Sequence, residues 1–153
     1  MPMQQPQIEP SASSSSAADL RIVAVPPQSL ERLWGVLEPL FADVLRRNVT
    51  WTLDAMLQAI VGGQWHLWMV WRDGEGPVAI TASELGRNDD GSLTCNIPFC
   101  AGQGAKDFVP LLATIERWAR SEGCRRMKAV ARKGWARHLP DYKMTHVVLE
   151  KDL

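Results

Sequence analysis

The stretch from Leu93 to Gly123 constrains the fold most, because it reads as a strand, a turn and a helix in immediate succession. The run Leu93–Phe99 is short and apolar, and the small residues Cys100–Ala105 follow it with glycines at 102 and 104. Apolar side chains then recur at helical spacing, at Phe108, Leu111, Leu112, Ile115, Trp118 and Ala119. Gly123 stands where a left-handed helix C-cap is expected.

Two interpretations of the glycine turn remain open from its spacing. A strand that feeds a helix through such a turn leaves unpaired backbone N–H groups at the positive end of the helix dipole, which favours phosphate binding. Alternatively, Gly102 and Gly104 only allow the chain to turn tightly between two elements. The spacing favours the second interpretation, because G-x-G is a common pattern.

Composition excludes several function classes. The 17 basic and 17 acidic residues balance, so no overall field favours nucleic acid. The three cysteines, Cys95, Cys100 and Cys124, form no C-x-x-C pair and lack a histidine cluster, so we expect reduced thiols and no metal site. No run approaches the roughly 18 apolar residues of a membrane span, and the N-terminus lacks a signal pattern. A cytoplasmic location is therefore expected.

The chain divides into a tail and one domain. Residues 1–19 are rich in Pro, Gln, Ser and Ala, and such a segment buries too little apolar surface to offset its ordering entropy. We predict a disordered tail over 1–19 and a single folded domain over 20–153.

The first half of the domain predicts a strand and two helices. Leu20–Val25 is β-rich and is followed by a helical pattern from Leu30 to Leu45, which Pro39 should kink or split. Thr52 should cap a second helix that continues to Ile60.

The second half predicts further strands around the central unit. Gln64–Trp71 and Pro77–Leu85 form a hairpin around Asp73–Gly76. After the central helix come a strand (Arg125–Arg132), a short helix that starts at Lys133 and ends before Pro140, and a last strand (Met144–Leu149). This order predicts an α/β (α+β) fold: a mixed, mostly antiparallel central sheet of six to seven strands with helices on both faces. The crossover from the strand at Leu93 should be right-handed and parallel.

The order of elements resembles the GNAT (GCN5-related N-acetyltransferase) superfamily over Leu20–Leu153. The segment Ala131–Tyr142 together with Leu149–Lys151 looks like the last helix and strand of that fold. The strings Gly63–Trp68 and Arg132–Trp135 are similar to small GNAT-like proteins of bacteriophages and prophages.

This resemblance implies acetyl-CoA as the co-substrate. In the family, the turn between the fourth strand and the third helix holds the CoA pyrophosphate, with the pattern [Gln/Arg]-x-x-Gly-x-[Gly/Ala]. On this chain the leading position is Phe99, and Gly102 and Gly104 take the glycine positions. The implied cofactor contacts are therefore Phe99, Cys100, Gly102, Gln103, Gly104 and Ala105. The family also splays its fourth and fifth strands, and Pro98 marks either that splay or the end of its strand.

The resemblance also suggests catalytic candidates. Acetyl transfer to an amine needs a base, an oxyanion donor and an acid for the leaving thiolate. Glu84 lies in the third strand and is the candidate base, although a solvated residue at a strand end is the simpler interpretation. Tyr142 is the candidate acid, while the position at which the family often carries its acid tyrosine falls at Arg137. His66 and His146 are expected to be structural.

Two function classes follow. The first is an N-acetyltransferase that acts on an amine acceptor, either a small molecule or a protein. The second is a catalytically degenerate GNAT-fold protein of phage origin that acts as a binding or virion-associated component. The resemblance leaves a homodimer and a virion component open as assemblies, and it implies the cytoplasm of a bacterium or of a phage-infected cell. Neither class involves nucleic acid or a membrane.

Overall fold

A computed structural model of the chain describes residues 19–47, 50–102 and 109–153. The strands are β1 (Leu20–Val25), β2 (Trp65–Arg72), β3 (Gly76–Arg87), β4 (Leu93–Ile97), β5 (Cys100–Gly102) and β6 (Cys124–Ala129). The α-helices are α1 (Leu30–Arg47), α2 (Leu53–Val61) and α3 (Leu112–Ser121), and short 3-10 helices cover Pro27–Ser29, Val109–Leu111 and Lys133–Arg137. Residues 1–18 lie outside the described residues, so the disordered tail stays a prediction.

Helix α1 is amphipathic and continuous. Leu30, Leu37, Phe41 and Val44 lie on one stripe and are buried. Pro39 lies inside the helix and does not split it, because its ring is on the exposed side and the missing N–H removes one hydrogen bond only. None of the described helices combines the length and apolar character that crossing a bilayer requires.

Helix α2 begins and ends where the sequence predicts. The Thr52 hydroxyl accepts a hydrogen bond from the Ala55 N–H at 3.2 Å, which caps the helix. Gly62 is the C-cap, and Gly63 has a φ of 80°, a conformation that glycine adopts without strain.

The six strands form one mixed sheet in the order β1-β2-β3-β4-β6, with β5 also paired to β3. The pairs β1–β2, β2–β3, β3–β4 and β3–β5 are antiparallel, and β4–β6 is parallel. The predicted mixed, mostly antiparallel sheet is therefore confirmed, with six strands. The crossover from β4 through α3 to β6 is parallel, as predicted.

A one-residue bulge separates β4 from β5. Glu84 pairs with Asn96, and Thr81 pairs with Cys100, so three residues (97–99) stand opposite two residues (82–83) of β3. The Thr81 hydroxyl donates a 2.7 Å hydrogen bond to the Phe99 carbonyl inside the bulge. Pro98 lies in the bulge, where its missing N–H interrupts no ladder.

Helices cover both faces of the sheet, as predicted. Helices α1 and α2 pack on one face, which we call the α1/α2 face, against Leu67, Met69, Ile80, Ala82, Phe99 and Ala101. Helix α3 packs on the opposite face, the α3 face, against Trp68, Cys95 and Ile97. Strand β2 alternates between the two faces, so Trp65 and Trp68 belong to different cores.

Three predicted boundaries differ from the structure. Cys100–Gly102 is a strand and not part of a turn, because after the bulge the chain pairs with β3 again. Helix α3 starts at Leu112 after a 3-10 turn, while Phe108 lies outside the described residues. Met144–Leu149 forms no strand despite its β-rich sequence, because it pairs with none of the described strands.

Gly102 is required by a close backbone approach. Its φ is 148°, and a Cβ there would lie 2.4 Å from the Ala79 Cβ and 2.7 Å from the Val78 carbonyl oxygen. We expect Gly102→Ala to lower the free energy of unfolding by about 1–3 kcal/mol through overpacking. Chemical denaturation followed by tryptophan fluorescence measures the change.

Gly35 provides the matched control. It lies inside α1, and a Cβ there would meet no atom within 4 Å. Gly35→Ala should raise the free energy of unfolding by roughly 0.5–1 kcal/mol, because alanine is the better helix former. Equal effects of the two substitutions would contradict the steric explanation for Gly102.

Candidate cofactor cleft and catalytic residues

The two parallel strands β4 and β6 are paired along their whole length, and this pairing ends just before the bulge. They pair from Leu93 and Cys124 to Ile97 and Ala129. Beyond the bulge, β5 continues along β3, whereas β6 ends at Ala129. Within the described residues, the outer edge of β5 therefore has no strand partner. We call this unpaired outer edge of β5, beyond the last β4–β6 pair, the strand cleft.

Phe99 does not present a side chain to the strand cleft. It is buried on the α1/α2 face, where its ring lies 6.2 Å from Trp51 and 5.7 Å from Trp65. Its carbonyl accepts the hydrogen bond from Thr81. In place of the Gln or Arg of the family pattern, the chain therefore has a core residue here, and its role toward a cofactor stays a prediction.

The remaining predicted cofactor contacts divide between two regions. Cys100 and Gly102 lie in β5. The close approach of Gly102 to Ala79 explains by packing alone why position 102 is a glycine. Gln103, Gly104 and Ala105 lie outside the described residues. The predicted phosphate-binding turn over these three residues is therefore outside the described part of the chain.

The cysteines are protonated thiols at neutral pH. Burial raises the pKa of the Cys95 thiol to about 12, and the neighbouring Cys124 adds to this effect. Burial also raises the pKa of Cys100 to about 12, against a smaller lowering by the Thr81 hydroxyl. Neither thiol has the cationic neighbour that an activated nucleophile needs, so the expectation of unreactive thiols agrees with these shifts. Within the described ranges, no cluster of three His, Cys, Asp or Glu residues could hold a metal ion.

Glu84 lies on the α1/α2 face near the bulge. It is half-buried between its cross-strand neighbours Trp65 on β2 and Asn96 on β4. The Gln64 amide donates a 2.9 Å hydrogen bond to Glu84 Oε1, which orients the carboxylate and leaves its other oxygen without a protein hydrogen bond in the described structure. Glu84 is therefore a half-buried carboxylate with one side-chain hydrogen-bond donor, three residues before the end of β3.

Aromatic rings lie beside this carboxylate. Trp51 and Trp65 meet edge to face with centroids 5.2 Å apart, and Phe99 completes the group. Edge-to-face packing of three rings makes a rigid apolar wall. Trp51 lies in the break between α1 and α2 and is half-buried, so its ring is the part of that wall that solvent can reach.

Tyr142 lies elsewhere. Its hydroxyl donates a 2.9 Å hydrogen bond to Glu116 Oε1 on helix α3. Burial, followed by the Glu116 carboxylate, raises the pKa of this hydroxyl above its ordinary value. Glu84 is on the α1/α2 face and Glu116 is on the helix that covers the α3 face, so the two predicted catalytic residues are not brought together.

The histidines are more exposed than the sequence suggests. His66 is exposed, with its ring 4.8 Å from that of Trp118, and His146 is exposed in the segment after Tyr142. His138 is half-buried, with its ring 6.2 Å from that of Trp135.

Sequence reasoning missed the two polar partners of the candidate residues. Gln64 directly precedes β2, and the hairpin register that places Trp65 opposite Glu84 also brings Gln64 to that carboxylate. The hairpin turn could therefore have revealed this pair. Glu116 and Tyr142 are 26 residues apart, and no local pattern links them.

Structure comparison identifies proteins with the same architecture. An aminoglycoside acetyltransferase from an uncultured soil metagenomic sample superposes with a TM-score of 0.66 at 12% identity, covering 89% of this chain and 97% of that one. Glucosamine-6-phosphate N-acetyltransferase from Arabidopsis thaliana gives 0.62 at 11% identity, with 87% and 97% covered. A transcriptional regulator from Bacillus halodurans gives 0.60 at 17% identity, with 88% and 99% covered.

Sequence comparison adds no relative: no protein-family model matches the chain, and no curated protein matches it. The structural similarity extends over nearly the full length of both chains in each case. At these identities the similarity establishes the fold alone. The chain therefore has the GNAT fold.

The reactivity of the three cysteines toward a thiol reagent tests the burial of Cys95 and Cys100. Because a pKa near 12 in place of the ordinary 9.0 leaves on the order of a thousandfold less thiolate at pH 8, Cys95 and Cys100 should react slowly with a thiol reagent. The less buried Cys124 should react first. Mass spectrometry of the partly alkylated native protein gives the order, and the unfolded protein is the control. Rapid modification of Cys100 would contradict the assignment of a buried, inert thiol.

Proposed function

We propose that the protein is an N-acetyltransferase that transfers the acetyl group of acetyl-CoA to an amine. The observation that carries the proposal is the strand cleft, the outer edge of β5 that has no strand partner in the described residues beyond the last β4–β6 pair at Ile97 and Ala129. The unpaired outer edge of β5 offers backbone donors and acceptors that suit an extended amide-containing arm such as pantetheine. Solved acetyltransferases of the same fold support this choice.

The residues of this chain fit acetyl-CoA, the acetyl donor, only in part. The edge of β5 and the glycines at 102 and 104 suit backbone contacts to it, whereas Phe99 offers no side-chain contact to phosphate because its ring is buried. The thioester supplies an activated acyl group. The chain must orient it, exclude water and move protons.

Glu84 is the proposed general base. The acceptor reaches the reaction as an ammonium and must lose one proton before its nitrogen attacks the thioester carbonyl carbon. The Glu84 oxygen that is not bonded to Gln64 can accept this proton directly or through a water. The nitrogen–carbon bond then forms, the nitrogen loses its second proton, the carbon–sulfur bond breaks, and the thiolate that leaves takes up a proton.

The acceptor is proposed to enter over the α1/α2 face. There the Trp51–Trp65–Phe99 wall and the Glu84 carboxylate lie together, a combination that suits a cationic amine. The proteins of known structure named above act on an aminoglycoside and on glucosamine 6-phosphate, so amino sugars are the first acceptors to test.

Tyr142 is the less favoured part of the proposal. As the general acid it would have to leave Glu116 and reach the thiolate from the α3 face. Burial and the Glu116 carboxylate raise the pKa of this hydroxyl, which makes it a weaker proton donor than an ordinary tyrosine and counts against the role. Solvent is the alternative proton source.

A non-catalytic binding protein is the second candidate. It is favoured by the buried Phe99 at the leading position of the pyrophosphate pattern and by the engagement of Tyr142 with Glu116. A virion-associated role belongs to this candidate and rests only on the resemblance of the strings Gly63–Trp68 and Arg132–Trp135 to phage proteins. A cytoplasmic location is part of both candidates.

Acetyl-CoA binding separates the two. A ligand at one hundred times its dissociation constant adds about 2.7 kcal/mol to the free energy of unfolding, so saturating acetyl-CoA should raise the melting temperature. Gly104→Val should abolish the increase if backbone contacts of the turn hold the pyrophosphate. Gly134→Val is the control, because a Cβ at Gly134 meets no atom within 4 Å. No increase at millimolar acetyl-CoA would leave only the binding protein.

Glu84→Gln tests the base. The amide retains the shape of the side chain but cannot accept the proton, so kcat should fall by about 10²–10⁴-fold while the dissociation constant of acetyl-CoA stays unchanged. Release of the CoA thiol in the presence of an amino-sugar acceptor measures the rate. Glu75→Gln in the exposed hairpin turn should leave kcat unchanged. Full activity of Glu84→Gln would remove Glu84 from the mechanism.

A further inference from the structure

A row of polar side chains crosses three strands on the α1/α2 face of the sheet. Glu84 on β3 pairs with Asn96 on β4, and Asn96 pairs with Lys128 on β6. Register partners on neighbouring strands point to the same side of a sheet, so these three side chains stand in line. Neighbouring strands lie about 4.8 Å apart, so Lys128 stands about 10 Å from Glu84 across the row.

The packing around the row confirms the face on which it lies. The residues that alternate with Asn96 and Lys128 pack on the opposite side with α3: Cys95, Ile97, Met127 and Ala129. A Cβ at Gly86, two residues beyond Glu84 on β3, would lie 3.1 Å from the Asn96 Nδ2 atom. The Asn96 amide therefore lies on the α1/α2 face, beside β3.

The two helices leave this part of the face uncovered. In the described residues, the core beneath α1 and α2 takes its sheet residues from β1, β2, β3, β5 and the bulge, and none from β4 or β6. Asn96 is half-buried and Lys128 is exposed. We call Glu84, Asn96 and Lys128 the polar shelf. It begins at the aromatic wall, because Trp65 is the register partner of Glu84 on β2.

The groups of the polar shelf have hydrogen-bonding capacity left for a ligand. One Glu84 oxygen, the Asn96 amide and the Lys128 ammonium make no side-chain hydrogen bond or ion pair within the described part of the chain. Asn96 stands between the two charges, so they do not neutralise each other by direct contact. The shelf thus presents a negative end and a positive end, both open to solvent.

Lys128 is the cation best placed to bind an anion on this shelf. Arg126, the next residue of β6 on the same face, lies beside Asp90 in a neighbouring pocket. Hydrogen bonds from Ser92, with a smaller contribution from the charge of Arg126, lower the pKa of Asp90. The Asp90 carboxylate therefore offsets part of the positive charge of Arg126, whereas Lys128 has no such partner in the ranges described.

From this row we propose that the acceptor is an amine that also carries a phosphate or carboxylate group, which Lys128 and Asn96 bind while Glu84 meets the amine. The inference rests on the proposed acetyltransferase function and names the class of its acceptor. An ammonium group suits the carboxylate and the aromatic wall, and an anion suits the amide N–H and the lysine ammonium. The length of the shelf favours an acceptor whose two charges are separated by several carbon atoms.

Matched pairs of acceptors test the proposal. Glucosamine 6-phosphate and glucosamine differ by the phosphate, and γ-aminobutyrate and γ-aminobutyramide differ by the carboxylate charge. The anionic member of one pair should bind roughly tenfold or more tightly than its neutral counterpart, as measured by tryptophan fluorescence, and should have the lower KM. The pair that shows the preference identifies the anion as phosphate or carboxylate. Equal binding within both pairs would overturn the proposal.

Lys128→Gln tests which residue binds the anion. It should raise the dissociation constant and the KM of the anionic acceptor by about tenfold or more, while kcat and the binding of the neutral acceptor stay unchanged. Arg117→Gln removes an exposed cation of α3, on the other side of the sheet, and should change none of these values. Far-UV circular dichroism checks the fold of both variants. An unchanged preference in Lys128→Gln would contradict the assignment.

Failure of this inference can be told apart from failure of the proposed function. Acceptor binding is measured without acetyl-CoA and does not depend on catalysis. Equal acetylation of neutral and anionic amines would overturn the inference and leave the acetyltransferase function standing. Selective binding of the anionic amine through Lys128, with no release of the CoA thiol, would support the ligand class and overturn the transferase function.

Discussion

The hydrogen bond from the Thr81 hydroxyl to the Phe99 carbonyl fixes the feature on which the rest of the structure depends. It lies in the bulge where three residues of one strand stand opposite two of β3. Without the extra residue, β4 and β5 would be one straight strand that could pair with β6 throughout. The bulge keeps the chain paired with β3, and the pairing of β4 with β6 ends just before it, at Ile97 and Ala129.

The same bulge determines which groups face each side of the sheet. By adding one residue it changes the alternation, so that Phe99 faces the α1/α2 core while Cys95 and Ile97 face α3. Glu84 therefore has an aromatic neighbourhood that suits an acceptor, and the α3 face holds Tyr142.

The sequence predicts the local features of this fold and not the distant ones. The Thr52 cap, the hairpin around Gly74 and the helix end at Gly123 each follow from a few adjacent residues, and each is present. The return of Cys100–Gly102 to β3 was missed, because small residues are typical of turns and only the register with Thr81 makes them a strand.

The candidate site was predicted to the same limited extent. Glu84 could be selected as a strand carboxylate, but its orientation by Gln64 depends on hairpin register. Tyr142 could be placed near the end of the domain, but its contact with Glu116 joins elements whose approach no local pattern encodes. The strand predicted from the composition of Met144–Leu149 is wrong, because the segment pairs with none of the described strands.

The parallel pairing of β4 with β6 also has a consequence for the order of folding. Strands β1 to β5 are joined by near-neighbour antiparallel contacts apart from the helical insertion after β1, whereas β6 reaches β4 only after a crossover through α3. Contacts that close long loops form late, because the loop entropy is lost before they are made. The β4–β6 pairing joins residues 31 or 32 apart and should form after the β2–β3 hairpin, whereas the β1–β2 pairing joins residues 42 to 52 apart and should form last. Native-state hydrogen exchange should accordingly find the backbone of β1 among the first parts of the sheet to open.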